Sequence, residues 1–154
     1  MSGLLMLTTK ACASALSRMS ELIKQKIALC QESLDGLEKI FPETYEGLFS
    51  DDKTLPAIER YFQLVVDAAV DCNNLILEAA NAPREETYFG TFTALRDRSL
   101  MPSTILNALA PSVGLRNALV HRYETIDRER MYESMKKFIR LYREYLKVLA
   151  ERHL

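Results

Sequence analysis

The residues best suited to chemistry lie in one short string, GLRNALVHRYETID, in the last third of the chain. Arg116, Asn117, His121 and Tyr123 occur within eight positions of one another, and the residues between them are mostly apolar. Arginine keeps its charge and binds anions bidentately. Histidine can act as an acid or a base at cellular pH. The string therefore predicts a site that joins a fixed cation to a proton-transfer group.

Helical geometry places these groups on one side of a helix end. At about 100° per residue, Asn117 and His121 are about 40° apart, whereas Arg116 and His121 are about 140° apart. Tyr123, seven residues after Arg116, returns to the Arg116 side. The four polar groups are therefore predicted to cover one side of the helix, with apolar packing residues between them.

Arg116 is the only charged residue between positions 101 and 121. An arginine is rarely buried unless it is paired, so two interpretations are open. One is an ion pair with Asp67 or Asp71 of the preceding long helix, and the other is a functional cation at a cleft. Prolines and polar residues in 101–121 argue against a membrane span, and the near-absence of charge favours a helix buried in the bundle and in a subunit interface.

Composition describes an ordinary globular chain of 154 residues, one domain over 1–154, with a net charge of −1. This charge excludes a generally basic nucleic-acid coat, so any nucleic-acid contact must come from a local patch. Three scattered cysteines, Cys12, Cys30 and Cys72, predict small core residues in a reducing cytoplasm. Two histidines are too few for an ordinary zinc site, so we expect no metal site. The first residues do not resemble a signal peptide.

Apolar residues recur at steps of three and four over most of the chain, and no segment alternates with period two. The pattern predicts long helices over 16–41, 58–79 and 131–149, a shorter one over 84–98, and another from Pro102 to about residue 122. Asp127 is predicted to cap the last helix. Pro111 is expected to break the 102–122 helix near residue 110. The fold class is therefore all-α, an antiparallel bundle of four to five helices.

Arg-x4-His followed by x-Tyr, here Arg116, His121 and Tyr123, resembles the signature of the HepT family of HEPN-domain toxins. The resemblance extends beyond the motif, because LPAIERYFQLVVDAAVDCNNLI at 55–76 looks like the second helix of that family. Residues 84–100 and 103–121 look like its third and fourth helices. The resemblance covers roughly residues 15–150.

This resemblance implies a metal-independent ribonuclease directed at tRNA, with no cofactor. It implies a homodimer whose Arg-x4-His motifs, here Arg116 and His121, meet at the two-fold axis. It also implies an antitoxin, a small nucleotidyltransferase of the MNT type, which silences the toxin by attaching AMP to the tyrosine that matches Tyr123.

The chemistry of RNA cleavage by its own 2′-hydroxyl agrees with the resemblance. This reaction needs a base, an acid and positive charge at the phosphorane. A two-fold dimer supplies His121 twice, Arg116 suits the phosphate, and Asn117 can orient the imidazole or the phosphate.

A basic stripe on the last helix offers a second nucleic-acid contact. Its members step by 4, 3 and 4 and are Lys136, Arg140, Arg143 and Lys147. The stripe is either a solvated helix face or a phosphate track beside the cleft. Two alternatives to the ribonuclease stay open: a HEPN module that binds RNA, nucleotide or protein without cleaving, and a helical interaction protein in which Arg116 is structural.

Overall fold

The computed structural model describes the backbone of residues 2–121 and 125–154, and side chains from residue 8 onward within those ranges. Six α-helices and one short 3₁₀ helix form the described chain, and no strand occurs among these residues, so the predicted all-α class is confirmed. The elements are α1 (Ser2–Ile40), the 3₁₀ helix (Tyr45–Phe49), α2 (Thr54–Ala79), α3 (Tyr88–Asp97), α4 (Ser103–Leu109), α5 (Ser112–His121) and α6 (Arg128–His153). Within the described residues no helix is both long and apolar enough to cross a membrane.

The core lies between α1, α2 and α6, and the apolar sides predicted from the sequence form it. Leu34 of α1, Phe62 of α2 and Tyr142 of α6 are almost completely buried there, and burial of such side chains is the main favourable term in folding. The sequence places Leu16 on the buried side of α1, but this residue is 59% exposed. Residues 8–18 are all exposed, and the first buried residue among the described side chains of α1 is Ile23.

A buried polar chain fixes α6, α2 and α3 relative to one another. The Tyr145 hydroxyl lies 2.7 Å from Oδ1 of Asn73 and 3.1 Å from the carbonyl oxygen of Ala69. Asn73 in turn donates through Nδ2 to Oγ1 of Thr91, at 3.1 Å. Buried polar groups are costly unless they are paired, so these contacts specify how α3 sits on α2.

The predicted helix over 102–122 is two helices, and the break falls where Pro111 was expected to place it. α4 ends at Leu109 and α5 begins at Ser112, because Pro111 has no N–H to donate to the preceding turn. Tight turn bonds join the two helices, among them Gly114 N to Pro111 O at 3.1 Å. The buried Ser112 hydroxyl lies 2.7 Å from the Tyr142 hydroxyl, which fixes the start of α5 against α6.

Two helix caps set the approach of the chain to α3 and α6. Asp127 caps α6, as predicted, by accepting hydrogen bonds from the N–H groups of Glu129 and Arg130. Thr87 caps α3 by accepting from Gly90 N at 3.0 Å. A Cβ on Gly90 would lie 2.7 Å from Oγ1 of Thr87, so a glycine is needed for this close approach.

Candidate active site

Arg116 is fixed between α5 and α2 by an ion pair. Its Nε donates to Oδ1 of Asp67 at 2.8 Å, and its side chain is only 18% exposed. Its Nη1 donates to Oδ1 of Asn117, the next residue, at 3.3 Å. The bond to Asp67 uses Nε, and the bond to Asn117 uses Nη1. Nη1 therefore lies beside Asn117, which is an exposed residue of α5.

Tyr88, the first residue of α3, completes the surroundings of Arg116. The guanidinium carbon lies 4.7 Å from the centre of the Tyr88 ring, a cation–π contact. Burial raises the pKa of the Tyr88 phenol, and the Asp67 carboxylate raises it further, whereas the Arg116 charge opposes both. Asp67 and Tyr88 therefore hold the guanidinium from its edge and from its face.

The ion pair that the sequence left open is thus made with Asp67. Asp71, one turn further along α2, pairs instead with Nζ of Lys26 on α1, at 2.8 Å. The sequence offers both carboxylates as candidates but does not single out Tyr88, which falls in the short helix predicted over 84–98. The spacing of residues carries no signal for Tyr88, because its contact with Arg116 depends on how α3 packs on α2.

The exposed side of α5 carries the other predicted residues. Gly114, Asn117, Val120 and His121 are exposed and fall at steps of three, three and one, which places them along one stripe of the helix. Val120 is 41% exposed although it is apolar. The structure therefore brings Asn117 and His121 onto one face, as expected, with Arg116 at its edge. Tyr123 lies outside the described residues.

The basic stripe on α6 is only partly available as a surface. Lys136, Arg140 and Lys147 are exposed. Arg143, however, turns to α1, where its Nε donates to Oε1 of Glu38 at 2.8 Å and its Nη2 pairs with Asp35. These carboxylates raise the Arg143 pKa further above its usual range, Glu38 contributing most. The stripe thus borders α1, whereas Arg116 faces α2.

The thiols offer no nucleophile to this site. Burial raises the pKa of the Cys72 thiol to about 12 and also raises that of Cys30, so both stay protonated at neutral pH. Both are core residues, as predicted, but Cys12 is exposed. Among the residues that the structure describes, no group of three His, Cys, Asp or Glu side chains can hold a metal ion.

The sequence matches a known protein family over most of its length. Residues 30–149 match the family model described as "Ribonuclease HepT-like". The tRNA nuclease HepT of Aphanizomenon flos-aquae is 29% identical over 126 residues, which are 82% of this chain and 86% of that protein.

Solved structures share the fold at low sequence identity. The tri-AMPylated HEPN toxin of Shewanella oneidensis, solved in complex with its MNT antitoxin, superposes with a TM-score of 0.76 at 18% identity, covering 84% of this chain and 97% of that one. The cytosolic protein YutE of Bacillus subtilis, of unknown function, gives a TM-score of 0.60 at 14% identity, covering 91% of this chain and 89% of its own.

Proposed function

Since the chain belongs to the HepT-like ribonuclease family, we propose that it is a metal-independent ribonuclease toxin that cleaves tRNA with Arg116 and His121. The observation that carries the proposal is the arrangement of α5. An arginine held by Asp67 and Tyr88 lies at the edge of an exposed face that presents Asn117 and His121. The name of the Aphanizomenon relative supports tRNA as the substrate class. Incubating the purified chain with tRNA and separating the products on a denaturing gel tests the proposal.

The reaction follows from these side chains. One imidazole removes the proton from the RNA 2′-hydroxyl, whose oxygen attacks the adjacent phosphorus. The bond from phosphorus to the 5′-oxygen then breaks, and a second imidazole, in its protonated form, donates a proton to that leaving oxygen. The Arg116 guanidinium stabilises the charge that develops on the phosphorane, while the Asn117 amide orients the phosphate or the imidazole.

Two imidazoles require two copies of His121, so the site is proposed to form across a homodimer. The exposed stripe of α5 is suited to a two-fold contact, because Val120 gives it an apolar centre and Gly114 a close approach. A Cβ built on Gly114 meets no atom within 4 Å in the single chain. Phe89, beside Tyr88 on α3, is 52% exposed and extends the apolar area near Arg116. A symmetric contact of this stripe brings each His121 to the partner's Arg116.

Substitution of Gly114 separates the dimer from the fold. We expect the unchanged chain to sediment as a dimer at micromolar concentration. Gly114→Gln is expected to sediment as a monomer that keeps the helical circular dichroism spectrum of the unchanged chain, because the side chain has room in one copy but not between two. Thr104→Gln, on the exposed side of α4, is the control and should stay dimeric. A monomeric unchanged chain would refute the composite site.

Cleavage is expected to proceed without a metal ion. The proposed base, acid and cation are all side chains, and Asp127, an acid close to the motif along the chain, is engaged in capping α6. The rate of tRNA cleavage in an excess of EDTA should equal the rate in Mg²⁺. Loss of activity in EDTA that Mg²⁺ or Mn²⁺ restores would contradict the mechanism.

We further propose an MNT-type nucleotidyltransferase as the antitoxin, since the Shewanella toxin was solved in complex with one and in a tri-AMPylated form. Tyr123 is the proposed acceptor of AMP. An AMP phosphodiester on a residue that follows His121 so closely in sequence would compete with the substrate phosphate for the Arg116 guanidinium. Inhibition would then come from occupancy of the site and not from unfolding.

Intact mass measurement tests the modification. Co-expression with the proposed antitoxin, an MNT-type nucleotidyltransferase, is expected to add one or more AMP units, and Tyr123→Phe should abolish the addition. Tyr61→Phe, on α2, is the control and should leave the added mass unchanged. A chain that is fully inhibited but unmodified would indicate occlusion by the antitoxin instead.

The α6 stripe is proposed as a phosphate track formed by Lys136, Arg140 and Lys147. Arg143 contributes less, because it is neutralised by carboxylates of α1. The ion pair of Arg116 with Asp67 is the one observation that favours another candidate, a helical interaction protein in which Arg116 is structural.

A further inference from the structure

A polar hollow opens beside the Arg116 site, where the loop before α3 passes over α2. Its volume is about 410 Å³, and its lining comprises Val70, Asp71 and Asn74 of α2 together with Arg84, Glu85, Glu86 and Tyr88. Tyr88 belongs to both places, because it lines the hollow and its ring lies 4.7 Å from the Arg116 guanidinium. A group in the hollow is therefore a near neighbour of a phosphate on Arg116.

Two of the lining groups are already engaged. Asp71 pairs with Lys26 at 2.8 Å, and Oδ1 of Asn74 accepts from the backbone N–H of Glu85 at 3.2 Å. The other polar groups of the lining are the carboxylates of Glu85 and Glu86, the Asn74 amide nitrogen, the Arg84 guanidinium and the Tyr88 hydroxyl.

The charge of this lining decides what can enter. Glu85 and Glu86 outnumber the single Arg84, so a phosphate is repelled by the hollow. A neutral planar group is not repelled, and the half-buried Tyr88 ring offers it apolar contact. Bases of single-stranded RNA are bound in this way, by stacking on aromatic side chains and by hydrogen bonds to their edges. Carboxylates accept hydrogen bonds only, so they favour a base edge that carries an amine.

We propose that this hollow binds the RNA base next to the cleaved phosphate, and that it prefers a base with an exocyclic amine over uracil. The proposal rests on the proposed ribonuclease function. An amine of adenine, cytosine or guanine donates to Glu86 or Glu85, whereas the single N3–H donor of uracil lies between two carbonyl oxygens that the carboxylates repel. Glu86, which is exposed, is the main determinant of this preference.

Nucleotide binding tests the hollow without any cleavage. CMP and UMP are matched probes, because they are pyrimidines that differ at the amine or carbonyl on C4 and at the protonation of N3. Titrated into the His121→Ala protein and followed by NMR, CMP is expected to bind about tenfold more tightly than UMP, the effect of one charge-assisted hydrogen bond. Glu86→Gln should reduce this ratio at least threefold, while Glu144→Gln, on the exposed side of α6, should keep it. Equal binding, no binding, or a ratio that Glu86→Gln leaves unchanged would overturn the proposal.

Cut-site sequencing then tests the role of the hollow in RNA. On a library of single-stranded RNAs, cut sites are expected to lack uracil at one position beside the cleaved bond, and Glu86→Gln should restore it. Cutting without such a preference would overturn the inference and leave the ribonuclease intact. A wild-type protein that cuts no RNA would refute the proposed function, and the contrast between CMP and UMP would still decide what the hollow binds.

Discussion

His121→Ala is expected to lower tRNA cleavage by about 10²–10⁴-fold, the usual effect of losing a positioned acid–base group. His121 lies on the exposed stripe of α5, so its removal leaves the core unchanged. In a dimer the substitution removes the base and the acid at once, which places the expected loss toward the upper end of this range.

The control for this variant is His153→Ala. His153 is the second histidine of the chain and lies at the end of α6, so its loss should leave the rate unchanged. The melting temperature and sedimentation of both variants should match those of the unchanged chain. A folded, dimeric His121→Ala protein with full activity would exclude the mechanism. If the unsubstituted chain binds tRNA but does not cleave it, the non-cleaving HEPN module is favoured instead.

Arg116→Lys is expected to lower kcat/KM for tRNA by about 10²–10³-fold, as found when one preorganised donor to the transition state is lost. Lysine keeps the positive charge but lacks the planar fork, so it cannot bond Asp67 through one edge and present a second donor to the phosphate. It also lacks the guanidinium carbon that lies 4.7 Å from the centre of the Tyr88 ring.

One further variant, compared with a control, separates the charge of Arg116 from its orientation. Asp67→Asn keeps the shape of the carboxylate but weakens the bond at Nε, so kcat should fall while KM changes little. Arg96→Lys is the control, because Arg96 forms an exposed ion pair with Asp97 on α3. If Arg116→Lys cleaves tRNA at the unchanged rate, Arg116 serves only the structural pair with Asp67.

The sequence by itself determined the helices and most of the core. Steps of three and four place Phe62 and Tyr142 inside, because a helix has only one side that can face its neighbours. Asp127 and Pro111 marked a helix start and a helix break through local chemistry alone, since a cap and a missing N–H act within a few residues. Arg116 and His121 are only five residues apart, so their place on one helix could also be predicted from the sequence. The motif that they form carried the resemblance to the family.

Tertiary structure alone decided which groups surround Arg116. Asp67 and Asp71 are one turn apart and nearly equivalent in helical phase, so only the axial position of α5 along α2 selects Asp67 and leaves Asp71 to Lys26. Tyr88 reaches the guanidinium because the buried chain through Asn73 fixes α3 on α2.

The same reason accounts for two surfaces that the sequence misjudged. Arg143 looked like one of four equivalent cations, but the packing of α6 on α1 gives it Glu38 as a partner 105 residues away. Leu16 continued an apolar period, yet it is exposed because it lies at the end of the bundle, level with the last residues of α6. A periodic pattern states which side of a helix is apolar, and only the positions of the neighbouring helices decide where that side is covered.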